Sequence, residues 1–421
     1  MFFFYQIIIL SILVISPLIV IFRIFKKKED FKRFKEKYCF FSKTKSKGKL
    51  VWFHGASVGE VLSVIPIIEK LEKNKDIKQI LVTSNTLSSS KILLNLKLKK
   101  TIHQFFPLDT MHHTKKFLEY WNPSISIFID SEIWPNMIIN IKKKSIPLIL
   151  LNARITKKTY SKWKMIPNFA KHIFGNFDVC FTSNQQSKKY LKKLGAKKIK
   201  HIGNIKFSQR EKDENNINNF LKKEFLSRKI WCASSTHSTE EKMCGIAHKK
   251  LKKKYKNILT IIIPRHINRT QDIIREMQKL KLKVQLDSSR EKISKNTDIY
   301  LVNSYGKTTS YFKICKTVFL GGSLIKHGGQ NPLEPAKYGC KVLHGPNIWN
   351  FNEIYKLLNS FNSSKRINNL NELTNNIDRS FKYKINSKKI KSKIKSLGNK
   401  ILHLTLKELN FFLIKNEIKK T

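Results

Sequence analysis

The chain begins with a long apolar run and then alternates short apolar segments with amphipathic ones. From residue 50 onward, runs rich in β-branched residues predict buried strands at 50–53, 79–83, 124–129 and 146–151. Apolar residues at helical spacing lie between the strands, most clearly from Val61 to Leu71. Strands that alternate with helices pair in parallel, so the first half is predicted to be a doubly wound α/β domain.

The second half repeats this pattern after a polar, charged stretch at 208–224, which predicts an interdomain linker. Further strands are predicted at 258–263, 299–302, 318–320 and 342–343. We therefore predict two Rossmann-like domains, at 26–207 and 225–385, and a Lys-rich helix at 386–421. Open parallel sheets bind ligands beyond the carboxyl ends of their strands, so a substrate cleft is expected between the two domains.

The amino terminus predicts a membrane anchor at residues 1–25. Residues 2–22 are almost entirely Phe, Ile, Leu and Val, a run long enough to cross a bilayer core. Basic residues follow this run instead of preceding it, which favours an uncleaved anchor over a signal peptide. Their position predicts that the remaining chain lies on the cytoplasmic side of the cell inner membrane. The alternative is a helix that lies in the inner leaflet, since Pro17 could kink a spanning helix.

Charge and cysteine content narrow the classes of partner. Lys and Arg total 83 against 29 Asp and Glu, a net charge of +54. This excess attracts polyanions such as an anionic leaflet or a phosphorylated substrate, although the chain is rich in Lys throughout and compositional drift is the alternative. Basic and aromatic residues do not cluster, so nucleic acid is not a predicted partner. The six cysteines lack C-x-x-C spacing, which indicates reduced core residues without a zinc site.

Two motifs with carboxylates follow strands of the first half. The segment HGASVGE at 54–60 ends on Glu60 in the first turn of a helix, where a carboxylate can act as a general base or simply complement the helix dipole. The segment DSEIWPN begins at Asp130, and capping of the next helix by Asp130 or Ser131 is the alternative to a site role. Arg154 and Lys206 follow later strands and bring cations to the same edge.

The second half contains candidate anion ligands. The segments SSTH at 234–237 and PRH at 264–266 end strands, and hydroxyls with a guanidinium are natural phosphate ligands. Glycine-rich stretches at 321–324 and 328–336 are expected to expose backbone amides, with a helix amino end near Pro332. A G-x-G-x-x-G motif is absent, which favours a nucleotide sugar over a dinucleotide. Neither H-x-x-x-H nor Asp-x-Asp is present at these motifs, so no metal site is predicted.

In this order and spacing, the motifs resemble the 3-deoxy-D-manno-octulosonic acid (Kdo) transferases, glycosyltransferase family 30, over roughly residues 30–410. The motifs that carry the resemblance are HGASVGE, SEIWPN, NARIT, GNIKF, SSTH, PRH, GGS and GGQNPLEP. The resemblance implies a GT-B fold, with two Rossmann-like domains facing a central cleft. It also implies transfer of Kdo from CMP-Kdo to a lipid A precursor (lipid IVA), with inversion and without a metal or cofactor.

The resemblance also implies roles for individual residues. Glu60 corresponds to the base that deprotonates the acceptor hydroxyl, and Asp130 and Lys206 correspond to residues that stabilise the transition state. The residues implied in donor binding are Pro264, Arg265, Lys307, Thr308, Thr309, Gly322, Ser323, Asn331, Leu333, Glu334, Pro335 and Ala336.

Two positions depart from the family pattern. Asp130 stands where the family usually has Glu, which shortens the carboxylate arm by one methylene. Lys307 replaces an acid in the loop N-S-Y-G-K-T, which puts nucleotide recognition by that loop in question. One alternative function is therefore a basic nucleic-acid-binding or membrane-scaffolding protein that keeps the transferase fold without activity. The other is a GT-B enzyme for another nucleotide sugar.

Overall fold

The computed structural model describes residues 1–209, 217, 219–287, 292–383 and 385–418. Described residues up to Gln209 and from Leu397 onward form one compact unit, here the N-terminal unit, and those between form the C-terminal unit. The last helix runs from Ser387 to Ile418 and is shared by the two units. Residues 210–216 and 218 of the predicted linker at 208–224 lie outside the described residues, and the predicted domain limits stay a prediction.

The N-terminal unit is built on a parallel sheet in the order β3-β2-β1-β4-β5-β6-β7. Its strands are β1 (Lys49–His54), β2 (Ile77–Ser84), β3 (Thr101–Phe105), β4 (Ile125–Ile129), β5 (Leu148–Ala153), β6 (Val179–Thr182) and β7 (Ile199–His201). The strand order reverses between β1 and β4, which confirms the predicted doubly wound arrangement. β5 begins two residues later than predicted, after Pro147, and ends two residues later, at Ala153.

The helices of this unit follow from local signals in the sequence. They are α1 (Phe2–Phe25), α2 (Val58–Leu71), α3 (Leu87–Asn95), α4 (Met111–Trp121), α5 (Pro135–Lys143), α6 (Lys157–Lys164), α7 (Pro167–Phe174) and α8 (Gln185–Lys193). Thr86, Thr110 and Thr156 cap α3, α4 and α6 by accepting a backbone N–H, and Pro135 occupies the first turn of α5. A buried aromatic cluster that includes Trp52 fills the space under the sheet.

The C-terminal unit has a second parallel sheet in the order β10-β11-β9-β8-β12-β13-β14. Its strands are β8 (Lys229–Thr236), β9 (Ile258–Pro264), β10 (Val284–Leu286), β11 (Ile299–Leu301), β12 (Thr317–Leu320), β13 (Lys341–His344) and β14 (Ser364–Arg366). Its helices are α9 (Asn219–Leu226), α10 (Glu240–Lys252), α11 (Thr270–Lys279), α12 (Thr308–Ile314), α13 (Leu333–Lys337), α14 (Asn352–Ser360), α15 (Leu370–Lys382) and the first part of α16 (Ser387–Ile418). The reversal here lies between β8 and β12.

All six cysteines are buried free thiols, which confirms their prediction as core residues. In the C-terminal unit, Cys340 donates its thiol to the carbonyl oxygens of Phe312 and Cys315, at 3.3 and 3.1 Å. Burial raises the pKa of Cys232, Cys244 and Cys340 well above the usual thiol value. These thiols are therefore packing residues and poor nucleophiles.

The apolar helix α1 packs against the N-terminal unit along its whole length. The residues that face the unit recur every three or four positions: Phe2, Tyr5, Gln6, Ile9, Leu13, Ser16, Val20, Arg23 and Ile24. Tyr5 Oη donates to Asp109 Oδ2 at 2.6 Å near one end, and Arg23 Nε contacts Glu29 Oε2 at 2.9 Å near the other. The remaining residues form an exposed apolar face. Among the described residues, α1 is the one helix long and apolar enough to cross a membrane.

Candidate active site

The strand order of the N-terminal unit brings the acidic motifs together. β1 and β4 are neighbours, and β5 pairs with β4 on its other side. Glu60 lies in the first turn of α2 after β1, Asp130 follows β4 directly, and Asn152 is the last residue but one of β5. Because parallel strands end at the same edge, these residues share the carboxyl edge of the sheet at its switch point, where open α/β sheets bind ligands.

Glu60 both caps its own helix and carries a perturbed carboxyl. Its Oε2 accepts from Ala56 N at 2.7 Å, and its Oε1 accepts from Ser57 Oγ at 2.8 Å. A capping box is also present, in which Glu60 N donates to Ser57 Oγ and Ser57 N donates to Glu60 Oε2, both at 3.4 Å. Burial, and then the negative charges of Glu132 and Asp130, raise the pKa of Glu60 to about 7. The carboxyl is therefore poised between its acid and base forms near neutral pH, which suits a general base.

Asp130 and Lys206 form an ion pair at the same edge. Lys206 Nζ lies 3.1 Å from Asp130 Oδ2, although the two residues are 76 positions apart. Asn152 donates its side-chain amide to Asp130 Oδ1 and accepts from Ile205 N at 3.0 Å. Asp130 and Asn152 both have positive φ, 56° and 57°, which turns their side chains out of the strand direction. Asn152 thus holds the Asp130 carboxylate in a fixed position relative to the backbone that precedes Lys206.

The alternative role of Asp130 or Ser131 as a helix cap is wrong. The helix α5 begins at Pro135, and its first amides are taken by another residue. Asp109 accepts from Asn136 N at 3.1 Å and from Met137 N at 2.9 Å. The Asp130 carboxylate therefore does not cap the amino end of α5.

Glu132 is a member of the site that sequence analysis did not single out. Its Oε2 accepts from Trp134 Nε1 at 2.8 Å and lies 3.3 Å from Nε2 of the buried His54. His54 is itself held by Thr83 Oγ1 at 3.0 Å and stacks on Phe106. The motif contained two carboxylates one residue apart, and only the folded turn shows that the second one adds negative charge beside Glu60.

In the C-terminal unit, the loop after β12 is organised by Glu240, a buried residue missed at the sequence level. Glu240 Oε2 accepts from His237 N at 3.0 Å and from Gly322 N at 2.7 Å. Its Oε1 accepts from Ser323 N at 3.1 Å and from Leu324 N at 3.0 Å. The expectation that this glycine loop exposes its amides to a ligand is therefore wrong, since a carboxylate already occupies them.

The same loop explains why position 321 is glycine. A Cβ atom on Gly321 would lie 2.5 Å from Ser235 O and 2.5 Å from Thr236 Cα, which is closer than side chains pack. The loop after β12 is thus pressed against the end of β8. In sequence terms, the only signal for Glu240 was an acid at the start of a helix that follows the SSTH motif.

Histidines and arginines gather above this loop. The His237 ring lies 4.4 Å from the His327 ring and 5.7 Å from the His266 ring, between centroids. Burial, and then the neighbouring histidines and arginines, lower the pKa of His237 to about 4. Arg265 is exposed at the end of β9, and Arg269 pairs with Glu241 at 2.9 Å. His327 and Arg269 were not predicted, because only the fold brings them beside the SSTH and PRH motifs.

The departure at Lys307 has a partner in the structure. Lys307 Nζ donates to Asp287 Oδ2 at 2.8 Å, and Tyr300 Oη donates to Asp287 Oδ1 at 3.1 Å. The Asp287 side chain is 4% exposed, so Lys307 neutralises a buried carboxylate. Thr308 and Thr309 begin the next helix, α12.

The remaining predicted donor residues lie at strand and helix ends. Pro264 ends β9 and is buried, while Asn331 Oδ1 accepts from Leu333 N at 3.2 Å. In α13, Leu333, Pro335 and Ala336 are buried and Glu334 is exposed. This helix spans five residues, so its dipole contributes less to anion binding than was expected from the sequence. In the described ranges, no three His, Cys, Asp or Glu side chains are placed to hold a metal ion.

The chain matches a known family model and is similar in sequence to proteins from other organisms. Residues 32–209 match the family model described as 3-Deoxy-D-manno-octulosonic-acid transferase (kdotransferase). The 3-deoxy-D-manno-octulosonic acid transferase of Rickettsia bellii is 31% identical over 361 residues, covering 86% of this chain and 86% of that protein. The Rickettsia prowazekii protein of the same name is 33% identical over 331 residues, covering 78% of this chain and 71% of that protein.

Among solved structures, a putative UDP-N-acetylglucosamine 2-epimerase from Listeria monocytogenes has a similar fold. It superposes with a TM-score of 0.59 at 14% sequence identity and covers 89% of this chain and 98% of that chain. This likeness supports the architecture of two parallel-sheet α/β domains.

Proposed function

This chain belongs to the 3-deoxy-D-manno-octulosonic acid (Kdo) transferase family and is a glycosyltransferase, and we propose that it transfers Kdo from CMP-Kdo to lipid IVA, with inversion and without a metal ion. The observation that carries the proposal is the Glu60 carboxyl. Its pKa of about 7 and its place beside the Asp130–Lys206 pair suit proton transfer from a sugar hydroxyl.

In the proposed reaction, an acceptor hydroxyl oxygen attacks the anomeric carbon of Kdo. The hydroxyl proton passes to Glu60, and the bond from the anomeric carbon to the CMP phosphate oxygen breaks, so CMP leaves with the electron pair. Attack opposite the leaving group inverts the anomeric centre. Lys206, oriented by Asp130, supplies positive charge where negative charge develops, the kind of fixed electrostatic stabilisation that lowers a barrier most effectively.

We assign donor binding to the loops at the carboxyl edge of the C-terminal sheet. The phosphate is bound by Arg265 and by the histidines around Gly322, which can donate hydrogen bonds to an anion. Ser323 and Asn331 fix the backbone of the glycine-rich stretches through hydrogen bonds. The buried residues Leu333, Pro335 and Ala336 hold α13 in place, so that its exposed Glu334 faces the nucleoside. The loop that contains Lys307, Thr308 and Thr309 forms the remaining part of the proposed donor site, and the hydrogen bond from Lys307 to Asp287 holds this loop in position.

The membrane association that we propose is in the plane of one leaflet. A helix of 24 residues is about 36 Å long, so a spanning α1 would carry its first residues across the bilayer, far from the unit that holds its other end. Instead, Tyr5 and Arg23 both contact the same unit. The exposed apolar face then enters the cytoplasmic leaflet, and Lys26, Lys27 and Lys28 meet anionic headgroups.

A cysteine added before Met1 tests this orientation, because the six native thiols are buried and react slowly. A membrane-impermeant maleimide should label the added thiol in inside-out vesicles and leave it unlabelled in intact spheroplasts. Labelling only in spheroplasts would establish a spanning helix.

The transfer itself is tested with purified full-length protein, CMP-Kdo and lipid IVA in the presence of EDTA. We expect CMP release, a product heavier by one or more Kdo units in mass spectrometry, and an inverted anomeric centre by NMR. The variant Glu60→Gln should lose turnover but bind CMP, whereas Glu119→Gln, at an exposed site on α4, should retain activity. Failure to bind CMP would favour the non-enzymatic scaffold, and loss of activity in EDTA would refute metal independence.

A further inference from the structure

A basic cavity of about 390 Å³ lies in the C-terminal unit, away from the donor loops. Lys341 begins β13, Phe361 precedes β14, and Arg379 lies in the last turn of α15. Lys389 and Lys393 come from the first turns of α16. Strand starts lie at the amino edge of a parallel sheet, so this basic cavity lies at the opposite edge from the glycine loop held by Glu240.

The basic cavity concentrates positive charge without a counter-ion. Its wall contains four cations, Lys341, Arg379, Lys389 and Lys393, and no carboxylate among the described lining residues. None of the four forms an ion pair with another described residue. The nearest acid in sequence, Asp378, is engaged elsewhere, by Lys254 and Lys382. Lys341 is half-buried and the other three cations are exposed, and an anion that binds among them would offset the repulsion between these like charges.

Three further features of the wall favour a bound anion. Arg379 offers a planar fork of donors that matches a phosphate, and Lys389 and Lys393 add point charges. Asn386 caps α16 by accepting from Lys389 N at 2.9 Å, so the amino end of this long helix also faces the cavity. Lys393 Nζ lies over the Phe361 ring at 4.9 Å, which holds that cation at the wall.

We propose that this basic cavity is a second anion-binding site that accepts a phosphate monoester carried on a small organic group. The volume falls within the range of about 300–1,000 Å³ typical of small-molecule sites and exceeds what a bare phosphate fills. Phe361 and Tyr383 form the part of the wall that contacts the organic portion. The same chemistry is found in a soluble sugar or glycerol phosphate and in the headgroup of phosphatidic acid.

The test uses the full-length protein and a matched pair of double variants. Arg379→Gln with Lys389→Gln removes two charges from the basic cavity, and Lys253→Gln with Lys256→Gln removes two exposed charges elsewhere in the same unit. Binding of glycerol 3-phosphate is measured by calorimetry with CMP at saturation, and binding of vesicles that contain phosphatidic acid is measured by sedimentation. Thermal unfolding and CMP binding check that each variant is folded.

We expect the cavity variant to weaken one of the two probes at least tenfold and the control variant to change it less than twofold. Loss of glycerol 3-phosphate binding identifies a soluble ligand, and loss confined to vesicles identifies a lipid headgroup. Equal losses in the two variants would show that bulk charge alone attracts the probe, and unchanged binding in the folded cavity variant would equally overturn the site. Sugar transfer is assayed separately, so failure of the anion site leaves the transferase proposal intact.

Discussion

Replacing Glu240 with glutamine removes the charge that holds the glycine loop of the C-terminal unit. In the native loop, each carboxylate oxygen accepts two backbone N–H groups, so four donors converge on one side chain. An amide of the same shape puts an NH₂ group in place of one oxygen. In either orientation that NH₂ group faces two N–H donors, so two hydrogen bonds are lost and the donors are left without an acceptor.

The magnitude follows from the number of bonds lost. A hydrogen bond to a charged group contributes about 1.5–3 kcal/mol, so two bonds give a loss of about 3–6 kcal/mol in the free energy of unfolding. Relaxation of the loop brings the expected value to the lower end, about 3 kcal/mol. For a unit of this size, that loss lowers the unfolding midpoint by roughly 6–12 °C. CMP affinity should fall as well, because His237 and Gly322 move with the loop.

The assay is thermal unfolding of the full chain, followed by calorimetric titration with CMP. Asp272→Asn is the control, because it removes one carboxylate from an exposed surface pair on α11 in the same unit. The control should change the free energy of unfolding by less than about 0.5 kcal/mol. An unfolding midpoint of Glu240→Gln within about 1 °C of the native protein, with unchanged CMP affinity, would refute the role assigned to this carboxylate.

Four further predictions concern Glu60 and the ion pairs of Lys206 and Lys307. Turnover of the native enzyme should rise about tenfold per pH unit below pH 7 and level off above it, since the pKa of Glu60 is raised to about 7 and only the carboxylate accepts a proton. Glu60→Gln should lower kcat by at least about a hundredfold and should abolish this dependence of kcat on pH. Because that pKa is raised on folding, the contribution of Glu60 to stability is greatest at acid pH and is lost as the pH rises through 7, so urea unfolding of Glu60→Gln should depend less on pH than that of the native chain. Lys206→Met should lower kcat by roughly a hundredfold or more with KM little changed. Lys206→Arg should recover part of the loss, because it restores a cation beside Asp130. A change in KM alone would contradict the proposed role of Lys206 in stabilising the transition state. Lys307→Ala should destabilise the chain by about 1–3 kcal/mol, because it strands the buried Asp287, and adding Asp287→Asn should recover most of that loss in a double-mutant cycle.

The strand predictions show how far local pattern reaches. The predicted strands that were found are β1, β2, β4, β5, β9, β11, β12 and β13, because each contains an apolar run that is buried on both faces. The strands for which no range was predicted include the central strand β8, of which only the SSTH end was singled out. The others are edge or near-edge strands of three to five residues: β3, β6, β7, β10 and β14. An edge strand is covered less completely by neighbours, so its composition is mixed and it lacks a continuous apolar run.

In the candidate site, too, some features were predictable from the sequence and others depended on the fold. Glu60 was identifiable because a carboxylate in the first turn of a helix after a strand lies at the ligand-binding edge of any parallel sheet. Its raised pKa was not, since that depends on burial and on Glu132 and Asp130, which reach it from another strand. Likewise, the Lys307 departure looked like a loss of an acid until Asp287 was found beside it.

The sequence by itself determined that this chain has α/β architecture, an apolar amino-terminal helix and a set of motifs at strand ends, because periodicity, capping residues and glycine positions act over a few neighbouring residues. Tertiary structure alone decided which of those motifs meet. Lys206 reaches Asp130 across 76 positions, and Glu240 reaches Gly322 across 82. It also decided that α1 lies along its unit, because its polar residues find partners there. Pairings of this kind are set by strand order and side-chain packing, which no local pattern encodes.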